Sequence, residues 1–460
     1  MPTEATKHAS TGRDWSIVAL LASIFCSSAA AIAQATVLGK QVYDMTGRKL
    51  DLGLLGLAEF APTALLVLVS GAVADRFDRR RVAAAGAFGE AVMAGALGWY
   101  AGSHPSAPGP IFAMVLAFGV ARAFAAPATR SLPADLVPPE RLPWVIARFS
   151  GCWQVAIIIG PVLGGFLYAV DVRLPYVAVM VLLLIGGVLA LAIRLPGTAG
   201  RSRASSAAAI DQPSELSTPS SVDDGSSELT ANASLEAGVE PSVGHGVAAE
   251  PAAPGGLHDA LEGLRFIRRR PVLLGAISLD LFAVLFGGAV ALLPAIAKDR
   301  LGVGVVGLGW LRAAGGIGAA LVTAVIAVRP VRRRVGRRLL ATVAVFGLTT
   351  IVLGVTRSFA VAFLAMAVLS GADAVSVFIR ATLVPLITPA DKRGRVLAVE
   401  NVFIGASNEL GAFESGVAAQ LLGTVGAVTL GGVATLAVAA GWWFLFPGLR
   451  DVDRFPGDNG

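Results

Sequence analysis

Two cysteines and four histidines in 460 residues leave little material for thiol or metal chemistry. Cys26 and Cys152 each lie inside an apolar run, which argues against a structural disulfide or a cysteine nucleophile. His8, His104, His245 and His258 are scattered, with no spacing that would ligate a metal. Charge is also scarce. Asp, Glu, Lys and Arg make up 15% of the chain, against roughly a quarter in soluble proteins. No Walker-type glycine loop and no nucleophile elbow occurs, so ATP-driven pumping and membrane hydrolysis lack their usual machinery.

What the chain has instead is apolar length. Hydrophobic residues make up 55% of it, and the mean hydropathy is +0.72. Ile17–Val37, Leu52–Ala74, Ile111–Ala128 and Val177–Ile193 each match the roughly 20 residues that a hydrocarbon core demands. The pattern predicts an all-α membrane protein with twelve transmembrane helices. Their expected spans are 15–38, 52–74, 82–102, 110–129, 144–169, 174–195, 271–297, 304–328, 338–357, 359–386, 396–422 and 425–447. Helices ten and eleven are expected to be interrupted by Pro385 and by polar residues. The run after Trp15 is too long for a signal peptide and lacks an Ala-x-Ala end, so it reads as the first spanning helix.

The formal charge of +6 would point to nucleic acid in a soluble protein. Here the arginines crowd into alternate short loops: Arg76 and Arg79–Arg81, Arg130 and Arg141, Arg329–Arg338, and Lys392–Arg395. The other loops are poorer in charge, apart from the one with Lys40, Arg48 and Lys49. The positive-inside rule then places both termini in the cytoplasm. Abundant Arg, Gly and Ala point to a bacterial source and hence to the cytoplasmic (inner) membrane. Nucleic acid is not an expected partner.

Residues 196–256 break the pattern. They are rich in Ser, Ala, Pro, Gly and Glu, hold no aromatic residue, and read as a disordered cytoplasmic linker. In 257–270, Leu257, Leu261, Leu264 and Ile267 repeat at helical spacing among arginines, as in an amphipathic helix at the membrane face. The chain therefore divides into an N-terminal tail (1–14), a six-helix half (15–195), the linker, the amphipathic helix, a second six-helix half (271–447) and a C-terminal tail (448–460). The halves echo each other. Pro138-Pro-Glu-Arg141 before Val145-Ile-Ala147 matches Pro389-Ala-Asp-Lys392 before Val396-Leu-Ala398, and the same offset carries Arg81 to Arg332. Such a duplication predicts two pseudo-symmetric halves with the substrate site between them.

One loop is more specific. Gly71-Ala-Val-Ala-Asp75-Arg76-Phe-Asp78-Arg79-Arg80-Arg81 resembles the loop between helices two and three of the major facilitator superfamily. Within it, this form, together with Leu132-Pro-Ala-Asp-Leu-Val-Pro-Pro-Glu-Arg-Leu142 and Leu261-Glu-Gly-Leu-Arg-Phe266, looks most like the enterobactin-exporter and lysophospholipid-transporter branch. By that resemblance Gly71, Asp75, Arg76 and Arg80 form a gating loop. The Asp75 carboxylate would meet the amino end of helix eleven in one conformation. Gly160-Pro161-Val-Leu-Gly164-Gly165 resembles part of the antiporter motif; its glycines permit close helix packing.

Ionisable groups in hydrocarbon are functional candidates. Glu90 and Arg122, both roughly 10–12 Å from the cytoplasmic end at 1.5 Å per residue, are placed to form an intramembrane ion pair. Asp280, Asp373 and Glu409 are candidates for proton coupling, with Arg148, Arg312 and Arg380 as available partners. Gln154, Asn401 and Asn408 are candidates for the substrate cavity. Each of these groups also has a plain structural reading, as a local hydrogen-bond or ion-pair partner. The resemblance implies a monomeric secondary transporter that needs no cofactor beyond a proton gradient. It would export an amphipathic small molecule, a siderophore or drug; lysophospholipid flipping is the alternative.

Overall fold

The structure, a computed structural model, describes residues 4–103, 105, 107–195 and 257–456. Every regular element among them is helical. Helices one to six run Glu4–Thr46, Lys49–Arg76, Arg79–Ala101, Gly109–Leu136, Leu142–Val170 and Leu174–Ala192. After the amphipathic helix Leu257–Arg269 come helix seven at Pro271–Phe286, eight at Val305–Val328, nine at Val335–Val355 and ten at Phe359–Ile387. Ala390–Leu445 is continuous except at Gly423, whose φ of 76° breaks it into helices eleven and twelve. Only glycine takes that conformation at little cost. Ten of these stretches are long and apolar enough to cross a membrane. Counting the last as two and adding helix two gives twelve.

Several expected boundaries move. Residues 4–14, expected as a tail, continue helix one. Helix ten passes through Pro385 without a break. Helix seven, expected to 297, stops being regular at Phe286. It continues as a 3-10 turn at Ala289–Leu292, a short α turn at Leu293–Ala295 and a π turn at Ile296–Arg300. The cause is the Gly287-Gly288 pair. A Cβ at Gly288 would sit 2.5 Å from the Gly411 carbonyl oxygen, so the backbones of helices seven and eleven touch there. The 196–256 linker lies outside the described residues, and so do Met1–Thr3 and 457–460.

The two halves pack alike. Helix one lies against five and six, two against four, and three against four and six. Helix seven lies against eleven and twelve, eight against ten, and nine against ten and twelve. The expected pseudo-symmetry is thus present in the contacts themselves. In a bilayer, close approach of this kind replaces the hydrophobic effect as the source of helix association.

The amphipathic helix is docked on the bundle. Ile267 is buried with Leu273, Val396 and Val399, and Leu264 and Phe266 pack beside them. Glu262 pairs with Arg395 at 2.5 Å and reaches Lys392 at 4.0 Å. Both partners belong to the first turns of helix eleven.

Candidate functional site

The halves meet along two seams. In one, helix eight turns Val305, Gly309 and Gly316 toward helix five. A Cβ on Gly165 would lie 2.8 Å from the Val305 carbonyl oxygen, and one on Gly309 would lie 2.5 Å from that of Pro161. Gly160 and Gly164 instead face helix one, at the carbonyls of Ala29 and Ala33. The expected packing motif is therefore divided between an intra-half contact and the seam. Gln154 donates from Nε2 to the Gly316 carbonyl at 2.8 Å, so it bridges the halves. In the other seam, Gly53 of helix two packs on Ala412 and Phe413 of helix eleven, and Gly416 packs on Gly53.

Both seams lie away from the arginine-rich loops. Toward those loops a Cβ on Gly151 would meet nothing within 4 Å, and Ala324, Val325, Ala327 and Val328 of helix eight are exposed. At the opposite face Lys298 Nζ donates to Asp44 Oδ1 at 2.8 Å, and Tyr43 donates its hydroxyl hydrogen to Asp299. The Lys49 amide donates to Gln420 Oε1 at 3.2 Å. The halves are tied together at this face.

Charged groups gather where the seams end. Glu409 sits on the helix-eleven face that meets helix two; a Cβ on Gly56 would lie 3.3 Å from its Oε2. Glu59, one turn from Gly56, is within electrostatic range of Glu409, of Arg312 on helix eight and of Glu90 on helix three. Arg122 is in range of Glu90, but no N–O contact within 4.0 Å joins the two among the described residues. Sequence reasoning passed over Glu59, although the rule that flagged Glu90 applies equally to a carboxylate inside helix two.

A second cluster lies inside the C-terminal half. Arg380 Nη2 is 2.6 Å from Asp280 Oδ1, and Nη1 is 4.0 Å from Glu400 Oε1. The three side chains are 4%, 7% and 7% exposed. Asp373 lies within electrostatic range of Asp280 and Arg380. Of the three intramembrane arginines available as partners, only Arg380 takes a carboxylate. Arg148 is exposed and stacks 3.5 Å over the Trp144 ring. Asn401 and Asn408 donate to the carbonyls of Leu397 and Ile404, one turn back in their own helix. Among the described residues no group of three or more His, Cys, Asp or Glu side chains is placed to hold a metal ion.

In the loop after helix two, Asp78 caps helix three by accepting from the Arg80 amide at 3.0 Å. Its carboxylate also binds the Arg80 guanidinium at 2.7 Å. That hydrogen bond holds the Asp78 carboxyl below its ordinary value of 3.8. Arg80 also donates to the Ile193 carbonyl at 2.7 Å, and Arg79 pairs with Asp135 at 2.9 Å. The loop is thereby tied to the ends of helices four and six. Gly71 and Arg76 lie in the last two turns of helix two, as does the Asp75 backbone. The expected contact of the Asp75 carboxylate with helix eleven falls outside the described side chains.

This arrangement has known counterparts. A bacterial homologue of the human lysosomal transporter Spinster, solved inward-facing and unoccupied, matches with a TM-score of 0.64 at 15% identity, covering 95% of this chain and 96% of that one. The human organic anion transporter MFSD10 matches with a TM-score of 0.58 at 15% identity, covering 94% and 99%. A POT family transporter bound to 5-aminolevulinic acid matches with a TM-score of 0.66 at 11% identity, covering 94% and 96%. These likenesses show the fold. No curated protein matches the sequence. The family profile described as Major Facilitator Superfamily matches residues 16–412. With twelve helices in two equivalent halves that meet along two seams, this chain belongs to the major facilitator superfamily and is a multi-pass membrane transporter, not an enzyme.

Proposed function

We propose that this transporter exports an amphipathic small molecule, such as a siderophore or drug, in exchange for protons by alternating access. It works as a monomer in the bacterial cytoplasmic membrane with both termini in the cytoplasm. On that placement the arginine-rich face is cytoplasmic, and the face tied shut by Lys298 and Asp44 is the outer one. The observation that carries the reading is the position of Glu409. It stands inside the contact between helices eleven and two, against Gly56, one turn from the packing of Gly405 on Phe60, and in the field of Glu59. A carboxyl at that point changes surroundings when the halves part or close. Its proton occupancy is then linked to conformation, and conformation to cargo affinity. Asp373, and Asp280 once freed from Arg380, are the next candidates for the same role.

The test is efflux from proteoliposomes holding wild type or Glu409→Gln. Siderophores, fluorescent cationic drugs and lysophospholipids are assayed with and without an imposed proton gradient. Gradient-driven movement of one solute, lost in the variant, is the expected result. Movement that ignores both gradient and variant removes Glu409 as proton carrier and favours facilitated lipid or solute transfer.

A further inference from the structure

Resting on the transporter reading, we infer that Arg312 is the anion-recognition residue between the halves, and that the cargo presents it with a carboxylate or phosphate. Val305, Gly309, Arg312 and Gly316 share one face of helix eight, at i, i+4, i+7 and i+11. The three neighbours of Arg312 on that face all meet helix five of the opposite half. The arginine therefore stands on the seam, one turn from the Gln154 bridge. Its Nε is buried with no hydrogen-bond partner. No carboxylate lies within 4.0 Å of it among the described residues; Glu59 acts on it only from longer range.

Arg380 supplies the contrast within the same chain. It faces the interior of its own half. Its Nε is likewise buried without a partner, but its Nη2 is 2.6 Å from Asp280 and its Nη1 4.0 Å from Glu400. What separates Arg312 is that, among the described residues, no carboxylate within 4.0 Å takes its charge. Unpaired buried charge is costly, and a structural arginine in hydrocarbon is normally paired. Arg312, half-buried with its Nε unpartnered, carries part of that cost at the place where helices of both halves meet. A guanidinium offers a planar fork of donors that suits a carboxylate or phosphate and grips it bidentately. Glu59 at longer range offsets part of the empty site's cost and competes with a bound anion, which keeps the anion releasable. The apolar wall beside it comes from Ile157 and Ile158 of helix five, matching an amphipathic molecule with one anionic end.

The experiment is isothermal titration of the full chain in nanodiscs at one pH. The probes are octanoate, octyl phosphate, lysophosphatidylglycerol, octyl glucoside and octyltrimethylammonium. Wild type is expected to bind the anions at least tenfold more tightly than the neutral or cationic probe. Arg312→Gln abolishes that preference, Arg312→Lys keeps part of it, and Glu59→Gln strengthens anion binding several-fold. Monodisperse elution of each variant guards against misfolding. If only lysophosphatidylglycerol among the anions binds, the anion comes from a lipid headgroup; if octanoate and octyl phosphate bind, a soluble cargo supplies it. Equal affinity for all probes, anion preference surviving in Arg312→Gln, or no anion binding at all overturns the inference. Gradient-driven efflux of a cation, lost in Glu409→Gln, would overturn it while leaving the transport reading intact. Anion binding through Arg312 without any gradient response would do the reverse.

Discussion

Lys298 Nζ lies 2.8 Å from Asp44 Oδ1, joining the end of helix seven's irregular extension to the end of helix one. The π turn Ile296–Arg300 sets Lys298 and Asp299 side by side, and both reach helix one, at Asp44 and Tyr43. The Lys298 and Asp44 side chains are 45% and 30% exposed, and an ion pair in that setting is worth at most about 1 kcal/mol. A closure built from several weak ties and glycine-lined seams can reopen.

Lys298→Ala or Asp44→Asn should therefore loosen this face without unfolding the protein. The readout is labelling of Ala412→Cys by a membrane-impermeant maleimide, in a background lacking Cys26 and Cys152. Ala412 packs on Gly53 in the closed seam. A several-fold faster labelling rate is expected in either variant. An unchanged rate would show that helix packing alone holds the face shut.

Arg380 predicts a larger effect of a different kind. Arg380→Met leaves Asp280 and Glu400 buried without their cation, and breaking a buried pair in this way costs about 3–5 kcal/mol. A marked fall in Tm is expected in the single variant, with substantial recovery in Arg380→Met combined with Asp280→Asn. If the single variant melts like wild type, the cluster is solvated and its pairing is not structural.

Asp78 gives a pH-dependent case outside the membrane. Its carboxylate form both caps helix three and binds Arg80, and its folded-state value lies below the ordinary 3.8. Such a group contributes stability that is fully present above the unfolded value and lost as pH falls through the folded one. Asp78→Ala should cost about 1 kcal/mol near neutrality, the usual magnitude for a lost N-cap. The difference from wild type should shrink below about pH 4 as the native carboxyl itself protonates. Thermal melts of both proteins across pH 3–7 measure this; a constant difference would mean that the carboxylate charge plays no part.

Much of the fold is legible in composition and spacing. Apolar runs of bilayer length locate each helix, because the hydrocarbon admits little else. The shared offset from Arg81 to Arg332 and from Pro138 to Pro389 forecasts the matching contacts in the two halves. Boundaries are less legible where tertiary contact overrides local pattern. Nothing near Gly287 announces that its neighbour would press on the Gly411 carbonyl, so helix seven's irregular end had to be seen. Pro385 reads as a break, yet helix ten continues to Ile387.

The site is legible by residue type and not by pairing. An intramembrane carboxylate or arginine marks itself by its desolvation cost, and Glu90, Asp280, Asp373 and Glu409 all carry that mark. Which arginine meets which carboxylate depends on helix rotation. Arg148, Arg312 and Arg380 look equivalent as letters, but one stacks on Trp144 at an exposed surface, one stands open on the seam, and one is locked in a half's interior. Tyr43, Asp44, Lys298 and Asp299 carry no motif and lie near helix ends, where charge is unremarkable.

Helices eleven and twelve have no loop between them. Gly423 alone turns the chain, and past it Trp442 of helix twelve hydrogen-bonds the Gly275 carbonyl of helix seven at 3.1 Å. A tilt of helix eleven therefore has no slack in which to dissipate. It is handed at once to helix twelve and from there to the base of helix seven, so that end of the half swings like a bent crank rather than a hinged arm.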